Sequence, residues 1–173
     1  MLLRKWRYSD LSCIEEASRD PAIRLGTTVP SKSSEDAGRA FIERQWGRWT
    51  TGEGLSLAMV EARTGIAAGL MCLLHRQQPG VVGVGYWIVA SRRRKGLTLA
   101  SLVLLSRWAL SLSAVDRLEA LVDPGNEASI RVLSGAGFRR EALLRSYMEF
   151  EGNRGDAVLF ALIESDFERP TST

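Results

Sequence analysis

The sequence is poor in the residues that build metal sites and disulfide frameworks. Its 173 residues include two cysteines and one histidine. Cys13 and Cys72 stand far apart, His75 is alone, and no paired Cys or His spacing typical of zinc sites occurs. We therefore expect no metal site and no disulfide scaffold.

A long uninterrupted hydrophobic run is also missing. The longest apolar stretch, Leu97–Leu112, is broken by Arg107 and several hydroxyl residues, and it is too short to cross a bilayer. Arg4, Lys5 and Arg7 precede any apolar segment, unlike the start of a signal peptide. These absences predict a soluble cytoplasmic protein that has no membrane partner.

What is present is the composition of a folded globular protein. Hydrophobic residues make up 45% of the chain and charged residues 25%, which excludes disorder and collagen-like structure. No repeat or linker interrupts the chain. We expect one domain over residues 1–168, followed by a disordered tail at 169–173.

The hydrophobic pattern alternates between strand and helix periods along the chain. It predicts the order β-α-α-βββ-α-β-α-ββ, an α/β domain with a mixed sheet. Helices are expected after an Asp10 cap, after a Ser33 cap, and over 99–112 and 127–134. The predicted strands are 2–6, 55–61, 66–74, 81–89, 117–122, 139–150 and 157–163, with a hairpin at 151–155.

Positive charge is concentrated between a predicted strand and a predicted helix. The formal net charge is only +3, but Arg92–Lys95 are consecutive. Backbone N–H groups and the positive end of the dipole at a helix start bind phosphate, and Gly96 lets a ligand approach closely. A solvated basic connection explains the same residues, and neither a P-loop nor a dinucleotide fingerprint is present. Nucleic-acid binding is not expected, because no aromatic platform or recognition-helix pattern accompanies the run.

The order of elements and two motifs resemble the GNAT N-acetyltransferases. The motifs are the loop Arg93–Thr98 and the segment Asn126–Leu133, followed by Gly137 and Phe138. The resemblance is closest to the RimJ/RimL-type branch, which modifies N-terminal amines of ribosomal proteins and has relatives that act on small amines. It implies a single-domain GNAT-like fold, with a mixed, largely antiparallel central sheet and helices on both faces.

The resemblance also implies a substrate and a mechanism. An amine would attack the thioester of acyl-CoA directly, and the acyl group would most simply be acetyl. The pantetheine arm would bond along Trp87, Ile88 and Val89. The pyrophosphate would lie on the loop made by Arg93, Arg94, Lys95, Gly96, Leu97 and Thr98.

The catalytic acid expected from the resemblance departs from the common family pattern. Leu133 stands where many members carry a tyrosine acid. By likeness to RimL, Ser129 would protonate the CoA thiolate and Asn126 would contact pantetheine or a water. Without the family, Asn126 is a helix cap and Ser129 a first-turn residue. Tyr147 and water are alternative proton donors.

The acceptor side is the least determined part of the sequence. His75 and Trp46 are candidate substrate-binding residues, although Trp46, Trp49 and Phe41 at helical spacing also suit a core. Glu61 and Glu141 are weaker candidates for a general base. An N-terminal peptide, an amino acid, a polyamine or an antibiotic could be the acceptor, and succinyl or a longer group could replace acetyl. A non-catalytic acyl-CoA sensor is the alternative function, and a homodimer is expected only by family likeness.

Overall fold

The computed structural model describes residues 1–150 and 153–167, which contain seven strands and five α-helices. The strands are β1 (Leu2–Arg4), β2 (Gly54–Val60), β3 (Ala67–His75), β4 (Val81–Ile88), β5 (Arg117–Val122), β6 (Arg139–Phe150) and β7 (Asn153–Leu162). The helices are α1 (Leu11–Arg19), α2 (Pro21–Arg24), α3 (Glu35–Thr50), α4 (Leu97–Leu110) and α5 (Glu127–Gly135). Single 3-10 turns occupy Tyr8–Asp10, Ala90–Arg92 and Glu164–Asp166.

The strands form one sheet in the order β1-β2-β3-β4-β5-β7-β6, with the helices around it. The sheet is mostly antiparallel, and β4 and β5 form its parallel pair. The expected α/β class with a mixed, largely antiparallel sheet is confirmed. By its contacts the chain divides into two compact units, Met1–Leu74 with Gly85–Ser101, and His75–Val84 with the residues from Leu102 onward.

The first unit is built on the antiparallel strands β1, β2 and β3. Its core is aromatic: the Trp6 ring lies 5.9 Å from the rings of both Phe41 and Trp87. Ile14 of α1 and Ile42 of α3 are also fully buried. Burying each such side chain stabilises the fold by roughly 1.5–3 kcal/mol, which fixes α1 and α3 against these strands.

The second unit contains the parallel pairing and the two C-terminal strands. Val81–Gly83 of β4 pair with Arg117–Glu119 of β5, and β7 pairs antiparallel with both β5 and β6. Strand β5 buries Leu118, Ala120 and Val122, while the alternate side chains are half-buried. This period of two explains why the sequence predicted the bounds of β5 correctly.

Helix starts account for part of the difference between prediction and structure. Asp10 occupies the N-cap position of α1 as predicted, but its side chain makes no capping bond to this helix; its carboxylate accepts hydrogen bonds from the Arg4 guanidinium and the Arg7 amide. Ser34, rather than Ser33, caps α3 by accepting from the Ala37 amide. The short helix α2 was not predicted, and Asp20 caps it.

Other differences concern where elements begin and end. Strand β1 ends at Arg4, because Trp6 turns into the aromatic core. Helix α4 begins at Leu97, two residues earlier than predicted. Residues 153–155 were predicted to lie in the connection of the hairpin, but strand β7 already begins at Asn153 and includes them. Glu151 and Gly152, and the tail predicted at 169–173, lie outside the described residues.

Candidate functional site

The loop between β4 and α4 has an unusual backbone. Arg94 and Gly96 both adopt the left-handed conformation, with φ of 60° and 70°. A Cβ added at Gly96 would have no neighbour within 4 Å, so the space beside this backbone is open. Holding a non-glycine residue such as Arg94 in this region costs roughly 1–2 kcal/mol. The structure therefore keeps at Arg94 the conformation that a glycine would adopt easily.

The start of α4 presents backbone donors at the end of this loop. The Ala100 amide donates to the Gly96 carbonyl at 3.0 Å, which is the first bond of the helix. The amides of Leu97 and Thr98 come before this bond, so no carbonyl of their own helix can accept from them. The Thr98 side chain is buried, whereas Gly96 is exposed. This combination is a feature of anion-binding helix starts.

Acidic residues from distant segments hold the loop in place. Glu16 accepts from the amide and the hydroxyl of Ser91, both at 2.8 Å. Glu61 pairs with Arg92 at 2.9 Å. A hydrogen bond from Thr64 and the charge of Arg92 lower the pKa of the Glu61 carboxyl, so Glu61 acts here as an anchor.

Arg93 is also anchored, by two contacts. Its guanidinium forms an ion pair with Asp20 and donates through Nε to the Ile88 carbonyl at 3.3 Å. Arg94 and Lys95 are exposed and form no ion pair within the described part of the chain. The uncompensated charge of the loop therefore belongs to Arg94 and Lys95.

At the end of β4, the backbone groups on one side of the strand are hydrogen-bonded to β3. The Val89 amide donates to the Ala68 carbonyl at 2.9 Å, and Trp87 is buried in the aromatic core. Backbone groups of successive strand residues point to opposite edges. Of the three predicted pantetheine residues, Ile88 is the one whose amide and carbonyl point away from β3.

In the second unit, α5 begins at two of the predicted site residues. Asn126 caps this helix, because its Oδ1 accepts from the Ser129 amide at 3.1 Å. Asn126 is exposed and Ser129 is half-buried one turn later. Leu133 is 1% exposed and packs in the core, so no tyrosine acid is available at that position.

The remaining predicted residues have mixed environments. Trp46 donates from Nε1 to the Trp6 carbonyl at 2.8 Å and leaves 39% of its surface exposed. Trp49 is 70% exposed, so its expected place in the core is wrong, whereas Phe41 is buried as expected. His75 is exposed at the end of β3.

Strand β6 carries Tyr147 and Glu141. Tyr147 is 53% exposed beside a bulge at Ser146, whose φ is 51°. Hydrogen bonds from Arg117 lower the pKa of the Glu141 carboxyl. Glu141 is therefore paired with a cation at neutral pH, which makes it a poor proton acceptor.

Sequence reasoning did not identify Glu16 and Asp20 as anchors of the loop, and it considered Glu61 only as a general base. Their partners are 75, 73 and 31 residues away along the chain, so no local pattern connects them. Within residues 1–150 and 153–167 no group of three His, Cys, Asp or Glu side chains could hold a metal ion. None of the helices in this part is both long enough and apolar enough to cross a membrane.

Comparison with known proteins gives a consistent result. A family model described as an acetyltransferase (GNAT) domain matches residues 1–139. The uncharacterized N-acetyltransferase p20 of Bacillus licheniformis is 29% identical over 168 residues, which is 96% of this chain and 94% of that protein.

Solved structures show the same fold. RimJ of Mycobacterium smegmatis, in complex with a CoA disulfide, superposes with a TM-score of 0.81 at 23% identity, covering 96% of this chain and 83% of that one. RimL, a ribosomal L7/L12 alpha-N-protein acetyltransferase in complex with coenzyme A, gives 0.77 at 17% identity, covering 93% and 92%.

The family model and the sequence relative identify the chain as an acyl-CoA-dependent N-acetyltransferase. The chain belongs to the GNAT acetyltransferase family, and the RimJ and RimL structures share its fold. The family recognised from the two sequence motifs is confirmed.

Proposed function

We propose that the protein transfers an acetyl group from acetyl-CoA to a primary amine by direct attack within a ternary complex. The observation that carries this proposal is the loop from Arg93 to Thr98. It combines two left-handed residues, open space at Gly96, helix-start amides and two exposed cations without ion-pair partners in the described residues.

The residues of the loop fit a pyrophosphate. The amides at the start of α4 would donate to phosphate oxygens, and the α4 dipole would favour their negative charge. Arg94 and Lys95 would add charge at the exposed side. Asp20 compensates the charge of Arg93, so the contribution of Arg93 to phosphate binding is smaller than its position in the motif implies.

The end of β4 would orient the rest of the substrate. Ile88 points its backbone groups away from β3, which favours an extended pantetheine arm bonding there like an added strand. The Ile88 carbonyl already accepts a hydrogen bond from Arg93. The Ile88 amide is therefore the main backbone group that would bond to the pantetheine arm. When bound, acyl-CoA supplies an activated thioester, and the chain supplies its alignment.

Protonation of the leaving group is assigned to Ser129. As the amine nitrogen bonds to the carbonyl carbon, the carbon–sulfur bond breaks, and one proton in total passes from nitrogen to sulfur. Asn126 holds the Ser129 amide at the positive end of α5, which suits a group that faces a developing thiolate. Water would accept the amine proton, because Glu61 and Glu141 are held in contacts with other residues.

Three further expectations belong to this proposal. Residues 1–168 would act as one domain in the cytoplasm. The partners of this domain would be acyl-CoA and the amine, and it would bind neither nucleic acid nor a membrane. A homodimer and the exclusion of metal stay predictions.

The first experiment is a thermal-shift screen with acetyl-, propionyl-, succinyl- and malonyl-CoA, followed by release of free CoA thiol with an amine panel. We expect the largest shift with acetyl-CoA and thiol release that depends on the amine. Thermal stabilisation without turnover on any amine would favour the acyl-CoA sensor instead. A largest shift with succinyl-CoA would replace acetyl in the proposal.

The second experiment tests the acid. Ser129→Ala should lower kcat about 10²-fold or more, which is the usual contribution of a general acid, while the Kd of acetyl-CoA changes little. Ser134→Ala, at an exposed serine of the same helix, is the matched control. Normal turnover of Ser129→Ala would transfer the role to Tyr147 or to water.

A further inference from the structure

A cavity of about 360 Å³ in the second unit has a lining that combines opposite charges with an apolar floor. The floor consists of Leu121, Leu144 and Leu159. The polar groups come from Arg76, Gln78, Arg117, Glu119 and Tyr147. Its volume lies at the small end of the range for ligand sites, which favours a small molecule.

The position of Arg76 depends on a glycine in β4. A Cβ added at Gly83 would lie 2.6 Å from Nε and Nη2 of Arg76, so the guanidinium packs where any other residue would place a side chain. Arg76 forms no ion pair in the described part of the chain. A guanidinium held in this way is a ready partner for a carboxylate.

The opposite charge comes from a cluster around Arg117. This arginine donates from Nε to Glu119 at 2.7 Å and from Nη1 to Glu141 at 3.1 Å. One cation between two carboxylates leaves the cluster with a net charge of about −1 at neutral pH. Glu119 uses Oε1 for Arg117, so its second oxygen is available to an ammonium group.

Tyr147 reaches the cavity because β6 bulges beside it. Three residues, 145–147, stand opposite Asp156 between the pairs Leu144–Ala157 and Met148–Gly155. The Asp156 carboxylate accepts from the Ser146 amide at 2.9 Å and fixes the bulge. Bulges commonly redirect side chains next to functional sites.

We propose that this cavity binds the acceptor, and that the acceptor is a free α-amino acid with an apolar side chain. The carboxylate of the amino acid pairs with Arg76, its amino group is attracted by Glu119, and its side chain lies on the three leucines. This inference rests on the proposed function, because it names the amine that receives the acetyl group.

The same charges discriminate against other amines. A polyamine has no carboxylate to pair with Arg76, and its additional positive charges are repelled by that guanidinium. A peptide N-terminus has an amide where a free amino acid has its carboxylate, so it leaves Arg76 without a counter-ion. Specificity is the difference between the affinities for the free amino acid and for a competing amine, and the Arg76 guanidinium sets this difference here.

The test compares an acceptor that has a free α-carboxylate with three acceptors that lack one. L-leucine, L-leucinamide, a tetrapeptide amide with N-terminal leucine, and spermidine are each assayed for CoA thiol release from acetyl-CoA. We expect kcat/KM for L-leucine to exceed that for L-leucinamide about tenfold, since a charge-assisted pair of this kind contributes about that factor. Equal or faster use of leucinamide, the tetrapeptide or spermidine would overturn the inference and leave acetyl transfer intact.

Variants of Arg76 assign the effect to the cavity. Arg76→Gln should lower kcat/KM for L-leucine about tenfold and leave L-leucinamide unchanged, and Arg76→Lys should retain part of the preference. Arg140→Gln, the same change at an exposed arginine of β6, is the control. The inference is wrong if Arg76→Gln and Arg140→Gln behave alike.

Calorimetry separates the inference from the proposed function. L-leucine is titrated into the protein in the presence of CoA, without turnover. Binding that Arg76→Gln weakens supports the cavity as an amino-acid site even if no amine releases CoA, a result that would contradict only the proposed function. Absence of L-leucine binding to the wild-type protein would overturn the inference.

Discussion

Among single residues, Asp20 has the most specific relation to the phosphate loop. One carboxylate oxygen caps α2 by accepting from the Ala22 amide at 3.0 Å, and the other pairs with Arg93. The Arg93 side chain is 41% exposed and that of Asp20 is 14% exposed. Such a pair contributes at most about 1 kcal/mol, so a phosphate can compete for Arg93.

Replacing Asp20 with asparagine should therefore tighten acetyl-CoA binding. Asparagine caps a helix as well as aspartate does, so α2 is retained. Removing the competing charge should lower the Kd of acetyl-CoA up to about fivefold, which corresponds to about 1 kcal/mol. It should also make Kd rise more steeply between 50 and 200 mM salt, measured by titration calorimetry, because Arg93 then contacts phosphate.

Glu15→Gln is the matched control, because Glu15 pairs with Arg19 on the exposed side of α1. If Asp20→Asn bound acetyl-CoA more weakly than the wild type and Glu15→Gln did not, Arg93 would be a residue that positions the loop. Its contact with phosphate would then be excluded.

At the scale of elements, α5 combines a structural cap with a proposed ligand contact in Asn126. Its Oδ1 accepts from the Ser129 amide, and its side-chain NH₂ carries two further donors. The two roles use different atoms. Substitutions that keep the oxygen but remove the nitrogen can therefore separate them.

Asn126→Asp should leave stability within a few tenths of a kcal/mol, because aspartate is an equally good N-cap. Asn126→Ala should lower the free energy of unfolding by about 1 kcal/mol, measured in urea. Both variants should weaken acetyl-CoA binding about three- to tenfold, the usual contribution of one hydrogen bond. Unchanged acetyl-CoA binding in Asn126→Asp would show that Asn126 is only a cap.

Elements with a regular period were predictable from sequence, and those shaped by distant contacts were not. The alternation in β5 predicted its bounds, and the Asn126 cap predicted the start of α5. Asp10 stands at the predicted start of α1, but its side chain does not cap the helix because Arg4 offers it a charge-assisted partner. The β6 bulge left no signal, since it depends on Asp156 in another strand.

The same distinction between local patterns and distant contacts decides which parts of the candidate site were predictable from sequence. A motif within a few residues predicted the position of the Arg93–Thr98 loop, but the left-handed conformations of Arg94 and Gly96 were not predicted. Which cations stay unpaired could not be predicted, because it depends on acids 31 to 75 residues away. The Arg76 position likewise depends on the packing of its guanidinium at Gly83, which the sequence shows only as a glycine in a strand.

For the whole molecule, the paired carboxylates predict how stability changes with pH. A hydrogen bond from Thr64 lowers the pKa of the Glu61 carboxyl, and hydrogen bonds from Arg117 lower that of the Glu141 carboxyl. A carboxyl whose pKa is lower in the folded state binds fewer protons there than in the unfolded chain. Its stabilisation is complete above its unfolded pKa of about 4.3 and is lost as the pH falls through its folded pKa.

The free energy of unfolding should accordingly fall as the pH drops from 6 to 3, and part of this fall should disappear in Glu141→Gln. The variant should be less stable than the wild type at pH 6 and closer to it at pH 3, because the wild type loses the contribution of this carboxylate as the pH falls through its lowered pKa. Urea unfolding at each pH measures the difference. Glu53→Gln, at an exposed carboxylate without an ion pair among the described residues, should follow the wild-type curve in parallel. A constant gap between Glu141→Gln and the wild type across this range would mean that Glu141 stabilises the fold by packing and not through its charge.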